Sequence, residues 1–145
     1  MKKRFITLFA VLVLFAVLVP LMAGPVFADF TIIAHPGVPA DAISQAHLQE
    51  IYLGKRTQWS DNSPIHPILA ESGSVHQTFL RTYLHRSPAQ FEMHWRNMAF
   101  TGEGQKPPSV ASDQAVIDYV AATPGAIGYV SAPPAAGNVK TLTVQ

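Results

Sequence analysis

The residues with the clearest chemical potential lie within residues 65–84. A short apolar run ends at Glu71, and Ser72-Gly73-Ser74 separates it from a segment whose apolar residues recur at helical spacing. This order predicts a strand, a tight turn and the start of a helix. The first N–H groups of a helix lack helical partners and carry partial positive charge, and small residues let an anion approach them. The pattern therefore predicts an oxyanion site at Ser72, Gly73 and Ser74.

A simpler interpretation of the same turn is helix capping. The hydroxyl of Ser72 or Ser74 would then accept a hydrogen bond from one of the unpaired N–H groups, as serine commonly does at helix starts. Taken alone, the turn favours capping over ligand binding.

Nucleophilic and metal chemistry are both disfavoured by the spacing of the candidate residues. The Gly-x-Ser-x-Gly elbow of serine hydrolases fails around Ser72 and Ser74 at one or both glycines. The chain has no cysteine, and no two of its histidines have the i, i+4 spacing with an acid between them that marks a zinc helix. We therefore expect no catalytic residues, no metal and no cofactor, with the histidines on the surface or supporting other groups: His35, His47, His66, His76, His85 and His94.

The N-terminus has the pattern of an export signal. Lys2, Lys3 and Arg4 precede an apolar run over residues 5–19, and Val26-Phe27-Ala28 is a small-residue cleavage pattern. The run is shorter than the about 20 residues of a membrane span, so cleavage after Ala28 is favoured over retention as an anchor. We expect residues 29–145 to form a single periplasmic or secreted domain with no membrane span after cleavage.

The charge of this mature part argues against nucleic acid as a partner. The signal contains three of the ten Lys and Arg residues and none of the nine Asp and Glu residues, which leaves seven against nine. A net charge of −2 with neutral histidines provides no basic stripe for a phosphate backbone. An anionic ligand would have to be held locally, by N–H groups and one or two basic side chains.

Strands and helices alternate along the mature chain, which predicts an α/β domain. Ser44, Ser87 and Ser112 are predicted helix caps, with Leu48, Ile51 and Tyr52 buried in the first helix and Val116, Tyr119 and Val120 in the last. The predicted strands cover residues 30–35, the run before Glu71, residues 126–130 and residues 139–144.

Other conspicuous side chains have structural explanations. Phe91, Trp95 and Met98 recur at helical spacing, which indicates core packing, with a docking face for a partner as the alternative. Lys106, in a loop rich in glycine and proline, is expected to be exposed. Solvated faces are expected for Arg81, Arg86 and Arg96.

Four segments in order resemble the phosphate-binding proteins of phosphate ABC transporters, which have the type II periplasmic binding protein fold. They are IYLGKRTQWSD at residues 51–61, ESGSVHQTF at 71–79, FTGEGQKPP at 100–108 and TPGAIGYV at 123–130. The resemblance covers residues 30–132 and implies one lobe of that fold, with a mixed sheet of about four to five strands flanked by helices.

The resemblance also implies that Ser72-Gly73-Ser74 corresponds to the family's phosphate-binding Ser-Gly-Thr turn, in this register or one shifted by a residue. Family members have an arginine just before the turn, where this chain has Ile68-Leu69-Ala70-Glu71. The missing arginine removes a bidentate partner for phosphate, and Glu71 would repel an anion if it pointed inward. His76, one turn into the helix, would compensate when protonated and completes the candidate ligand-binding set.

Two functions follow from these expectations. The first is a non-catalytic binding protein for phosphate or a similar oxyanion, linked to ABC-type uptake or sensing through a permease or a sensor. Because the chain resembles one lobe of a two-lobed family, binding would be weak or would need a second lobe, such as a homodimer partner. The alternative is an envelope interaction or scaffold protein that kept the lobe and lost its ligand.

Overall fold

The computed structural model describes residues 30–71, 73–135 and 137–145. The predicted signal peptide, Ser72 and Ala136 lie outside the described residues. Within the described part of the chain, no helix has the length and apolar character needed to cross a bilayer.

A four-stranded mixed sheet forms the centre of the domain. The strands of the described residues are β1 (Thr31–Ala34), β2 (Ala42–Ile43), β3 (His66–Pro67), β4 (Leu69–Ala70), β5 (Ser109–Val110), β6 (Ala126–Val130), β7 (Lys140–Thr141) and β8 (Thr143–Val144). The spatial order of the central sheet is β3-β6-β1-β7, with β1 antiparallel to both of its neighbours and β3 parallel to β6. Two further strand pairs, β2 with β8 and β4 with β5, are both parallel.

In the part of the chain that the structure describes, four α-helices pack around these strands: α1 (Gln45–Tyr52), α2 (Ser74–Phe79), α3 (Pro88–Phe100) and α4 (Asp113–Ala122). A π-helical turn, Leu80–Leu84, continues α2 before the chain reverses at His85. The three serines predicted to cap helices do so: Ser44 for α1, Ser87 for α3 and Ser112 for α4.

The core is built around β6, whose five residues are all buried. Tyr129 of β6 stacks on Phe79 of α2 with ring centroids 3.9 Å apart, and Tyr52 of α1 meets both rings edge-on. At one end of the sheet, Trp59 donates its indole N–H to the Gly125 carbonyl at 3.0 Å. Large rings therefore fasten α1 and α2 to the central strand.

The predicted α/β lobe and its mixed sheet are confirmed, although several strand boundaries differ. The strand predicted before Glu71 is two short strands, β3 and β4, on different sheets, and the one predicted over residues 139–144 divides into β7 and β8. Strands β2 and β5 were not predicted. Phe91 and Trp95 are buried, which confirms the core interpretation of those side chains.

Gly128 of β6 allows α4 and Ile68, the residue between β3 and β4, to approach the sheet closely. A Cβ atom at this position would lie 2.7 Å from Val116 Cγ1 and 2.8 Å from Ile68 Cγ2. We expect Gly128→Ala to lower the free energy of unfolding by about 1–3 kcal/mol, because the packed side chains must shift. Gly104→Ala is the matched control, since its new Cβ would meet nothing nearer than 3.5 Å. Equal midpoints for the two variants in urea unfolding would contradict this account of the packing.

Candidate functional site

The predicted anion turn joins β4 to α2. Gly73 is the N-cap residue of α2, with φ 99° and ψ −179°. This backbone conformation is essentially restricted to glycine. A Cβ at Gly73 would meet no atom within 4 Å, so space is open in front of the residue. The turn thus exposes its backbone at the point where the helix begins.

No side chain among the described residues caps α2. Ser74 is the first residue of the helix and exposed, so its predicted alternative role as the cap is wrong. Ser72 lies outside the described residues, so its part in capping or binding stays a prediction. In contrast, the Ser44, Ser87 and Ser112 hydroxyls each accept a backbone N–H at 3.1–3.2 Å.

The parallel pairing of β4 with β5 brings a second helix start beside this turn. The Glu71 N–H donates to the Val110 carbonyl at 2.8 Å, and the Glu71 side chain is exposed. At the start of α4, Asp113 accepts the Ser131 backbone N–H at 2.8 Å. Since α4 has its own serine cap and an acid in its first turn, α2 is the start better suited to an anion.

His76 is fixed by a buried tyrosine. The Tyr129 hydroxyl accepts the Ala70 N–H at 3.1 Å and lies 2.6 Å from His76 Nδ1. Burial raises the pKa of Tyr129, so the phenol keeps its proton. Because the phenol has one proton to donate, we assign Nδ1 of His76 as its acceptor and place the imidazole proton on Nε2.

The charge state of His76 differs from the sequence-based expectation. Burial lowers its pKa from the ordinary 6.5, nearby Lys106 lowers it further, and Glu92 acts in the opposite direction. His76 is therefore mainly neutral at pH 7, and its Nε2–H can serve as a neutral donor. Lys106 is exposed, as predicted, and forms an ion pair with Glu92 of α3.

The structure brings together Gly73, Ser74 and His76 at the start of one helix, and it adds two groups that the sequence did not identify. These are the Tyr129 hydroxyl and the Ala70 N–H. The sequence placed Tyr129 in a core strand, which is correct, but its partner on α2 is set by tertiary packing. A tyrosine within an otherwise aliphatic buried strand was the available signal, because a buried phenol usually needs a hydrogen-bond partner.

A separate concavity of about 370 Å³ lies beside the edge strand β3 and is not lined by Gly73, Ser74 or His76. Trp95 and Tyr119 contribute aromatic surface to it, and Arg56 and Lys106 contribute basic groups already paired with Glu50 and Glu92. Among the residues that the structure describes, no group of three or more His, Cys, Asp or Glu side chains could hold a metal ion.

Comparison with known proteins defines the class of this chain. The sequence profile of the PBP superfamily domain matches residues 20–144, and the chain belongs to this family. No curated protein sequence matches it.

Several solved structures share the fold. An ABC-type phosphate transport receptor from Vibrio cholerae superposes with a TM-score of 0.61 at 16% identity, covering 81% of this chain and 48% of that protein. PstS from Borrelia burgdorferi gives 0.58 at 16% identity, with 80% and 47% covered. A candidate phosphate ABC transporter substrate-binding protein with bound phosphate, from Clostridium perfringens, gives 0.58 at 20%, with 79% and 44% covered. The similarity establishes a type II periplasmic binding protein fold, and the chain spans less than half the length of these proteins.

Removing the Tyr129 hydroxyl should loosen the candidate site. We expect Tyr129→Phe to lower the free energy of unfolding by about 1–3 kcal/mol, because the partly buried Ala70 N–H loses its acceptor. Tyr119→Phe removes the same atom from a half-buried tyrosine of α4 and provides the control. Chemical denaturation of both variants measures the difference, and a Tyr129→Phe variant as stable as the wild type would show that the network contributes nothing.

The depressed pKa of His76 makes stability depend on pH. The unfolded chain binds a proton near pH 6.5 and the folded chain only at lower pH, so the unfolded state holds more protons in that interval. Stability contributed by neutral His76 is present above pH 6.5 and is lost as the pH falls through the folded pKa. We expect the wild type to lose stability on acidification below pH 6.5 and His76→Gln to show a shallower loss. His47→Gln, at an exposed histidine of α1, should keep the wild-type profile; identical profiles for all three proteins would refute this role of His76.

Proposed function

We propose that this protein is an exported, non-catalytic binding protein that recognises phosphate or a similar oxyanion at Ser72, Gly73 and Ser74, with His76 as an additional donor. The proposal links it to ABC-type uptake or sensing, through a permease or sensor that engages the lobe. The observation that carries the proposal is that α2 begins at Gly73 with no described side chain on its first N–H groups and open space in front.

Family membership and the solved neighbours support the same conclusion. Two of the structural neighbours are described as a phosphate transport receptor and a candidate phosphate ABC transporter substrate-binding protein, the second with phosphate bound. The turn in this chain combines a glycine-only backbone conformation with serine hydroxyls, and both features help N–H groups to reach a tetrahedral anion. We therefore transfer the phosphate ligand to this chain as a proposal.

The affinity of the lobe alone should be low. Exposed ion contacts contribute about 1 kcal/mol or less each, and this turn lacks the arginine expected of the family. The exposed Glu71 carboxylate immediately before the turn adds repulsion rather than attraction. Because this chain spans less than half the length of each of these neighbours, we propose that tight capture requires a second lobe, supplied by a homodimer partner or another protein.

An envelope interaction protein that lost its ligand is the second candidate. It is favoured by the outer face of α3, where Met93 is 59% exposed and Phe100 is 93% exposed. These two side chains, rather than the buried Phe91 and Trp95, are the apolar groups that a partner could cover. This function would leave the turn as a structural element without a ligand.

Phosphate-dependent thermal stability distinguishes the two candidates. A ligand that binds only the folded state stabilises it by RT ln(1 + [L]/Kd), about 2.7 kcal/mol at one hundred times Kd. We expect millimolar phosphate to raise the melting temperature of the wild-type mature protein, and Ser72→Ala with Ser74→Ala to reduce that rise.

Ser44→Ala serves as the matched control, because Ser44 caps α1 through its side chain. It should cost about 0.5–2 kcal/mol of stability with or without phosphate, while the phosphate-dependent rise stays at the wild-type value. If the double variant shows the same phosphate-dependent rise as the wild type, the turn is not the binding site. If phosphate has no effect on the wild type as a monomer or as a dimer, the interaction protein is the better description.

A further inference from the structure

A second basic concavity lies at the far end of the α2 segment, where the π-helical turn passes into α3. Its volume is about 350 Å³, and its lining residues are Gln77, Arg81, His85, Arg86, Ser87 and Pro88. The set contains three basic residues, Arg81, His85 and Arg86, and no acidic residue. We propose that this concavity binds an oxyanion group, a phosphoryl or sulfate group, independently of the Ser-Gly-Ser turn.

The local fold places the two arginines at one concavity. Arg81 is exposed on the π-helical turn. His85 then takes the left-handed conformation, with φ 53° and ψ 40°, which reverses the chain. The Arg86 N–H donates to the Leu80 carbonyl at 3.2 Å, so Arg86 returns beside the turn that contains Arg81. Arg86 is half-buried, in contrast to the solvated position that its sequence context predicts.

The charges of this concavity are not balanced within the described part of the chain. Three basic side chains elsewhere pair with carboxylates: Arg56 with Glu50, Lys106 with Glu92, and Lys140 with Asp41. Arg81 and Arg86 form no ion pair with a described carboxylate. The two guanidinium charges at one concavity repel each other. An anion between them attracts both and offsets that repulsion.

The chemistry of the lining residues selects the ligand class. Arginine presents a planar fork of N–H donors that matches phosphate and carboxylate oxygens. The Ser87 hydroxyl already accepts the Gln90 N–H at 3.2 Å and keeps its own proton for a ligand oxygen. Gln77 adds an amide donor. The two guanidinium groups, the Ser87 hydroxyl and this amide together offer more donors than the two oxygens of a carboxylate can accept. A tetrahedral oxyanion is the better fit.

This site is distinct from the proposed phosphate turn. Arg81 is seven residues beyond Ser74, which is about 10 Å along the axis of an α-helix. The residues that line the concavity do not include Gly73, Ser74 or His76. The two sites can therefore be tested separately, and failure of one leaves the other standing.

The test uses side-chain Nε–H resonances of the arginines in the mature protein, with inorganic phosphate as the first probe. We expect the Arg81 and Arg86 signals to shift in a saturable manner, while the Arg96 signal, from an exposed site on α3, does not. Sodium acetate at equal ionic strength is the reference for non-specific screening. Equal shifts with acetate, or parallel shifts at Arg96, would overturn the proposal.

A second arm distinguishes a free oxyanion from a lipid headgroup. Co-sedimentation with phosphatidylglycerol vesicles is compared with neutral phosphatidylcholine vesicles. Arg81→Gln with Arg86→Gln should weaken the binding of the responding probe about tenfold or more, whereas Arg96→Gln should leave it unchanged. The same measurement is made on a protein that also contains Ser72→Ala and Ser74→Ala, which removes the proposed turn site. If Arg81→Gln with Arg86→Gln in that protein leaves the binding of both probes as tight as in the wild type, the site is refuted.

Discussion

The buried Tyr129 hydroxyl holds the candidate site in place. It accepts the Ala70 N–H at the end of β4 and donates to His76 Nδ1 in the first turn of α2. Tyr129 also stacks on Phe79 of the same helix. One side chain of the central strand therefore fixes both ends of the turn that contains Gly73. Without this support, the exposed backbone of a glycine turn would have many conformations to lose on ligand binding.

An anion can be bound by a charged side chain or by neutral N–H donors, and the proposed turn site uses neutral donors. A family arginine would supply a full charge, whereas the start of α2 supplies backbone dipoles and, at His76, a neutral donor. Dipoles held in place by the fold cost little reorganisation, but where they are exposed to water they act weakly. The basic concavity at Arg81 and Arg86 places full charge elsewhere, on the opposite end of the same helical segment. The two proposed sites therefore differ in chemistry, with backbone N–H groups at Gly73 and arginine side chains at the concavity.

The sequence predicted local structure well where the determinants are local. The caps at Ser44, Ser87 and Ser112 and the core strand AIGYV follow from residue types and spacing alone. Strands β2 and β5 were not foreseen because each has only two residues and exists through pairing with a distant partner. The π-helical turn and the left-handed His85 are likewise held by tertiary contacts from α1: Gln49 donates to the Tyr83 carbonyl at 2.6 Å, and Gln45 Nε2 lies 2.9 Å from His85 Nε2. The concavity beside them therefore left no periodic signal in the sequence.

One feature of the candidate site could also be foreseen. The helix start at Gly73 was predictable, because small residues between an apolar run and a segment of helical spacing mark the beginning of a helix. The neutral state of His76 was not predictable, since it depends on burial and on Lys106 and Glu92, which come from other parts of the chain.

The most direct measurement of anion binding at the turn is a phosphate titration followed by the backbone amide resonances of the mature protein. We expect saturable shifts at Gly73, Ser74 and Val75 that disappear with Ser72→Ala and Ser74→Ala. Amide signals that stay fixed at saturating phosphate would contradict the proposed anion site.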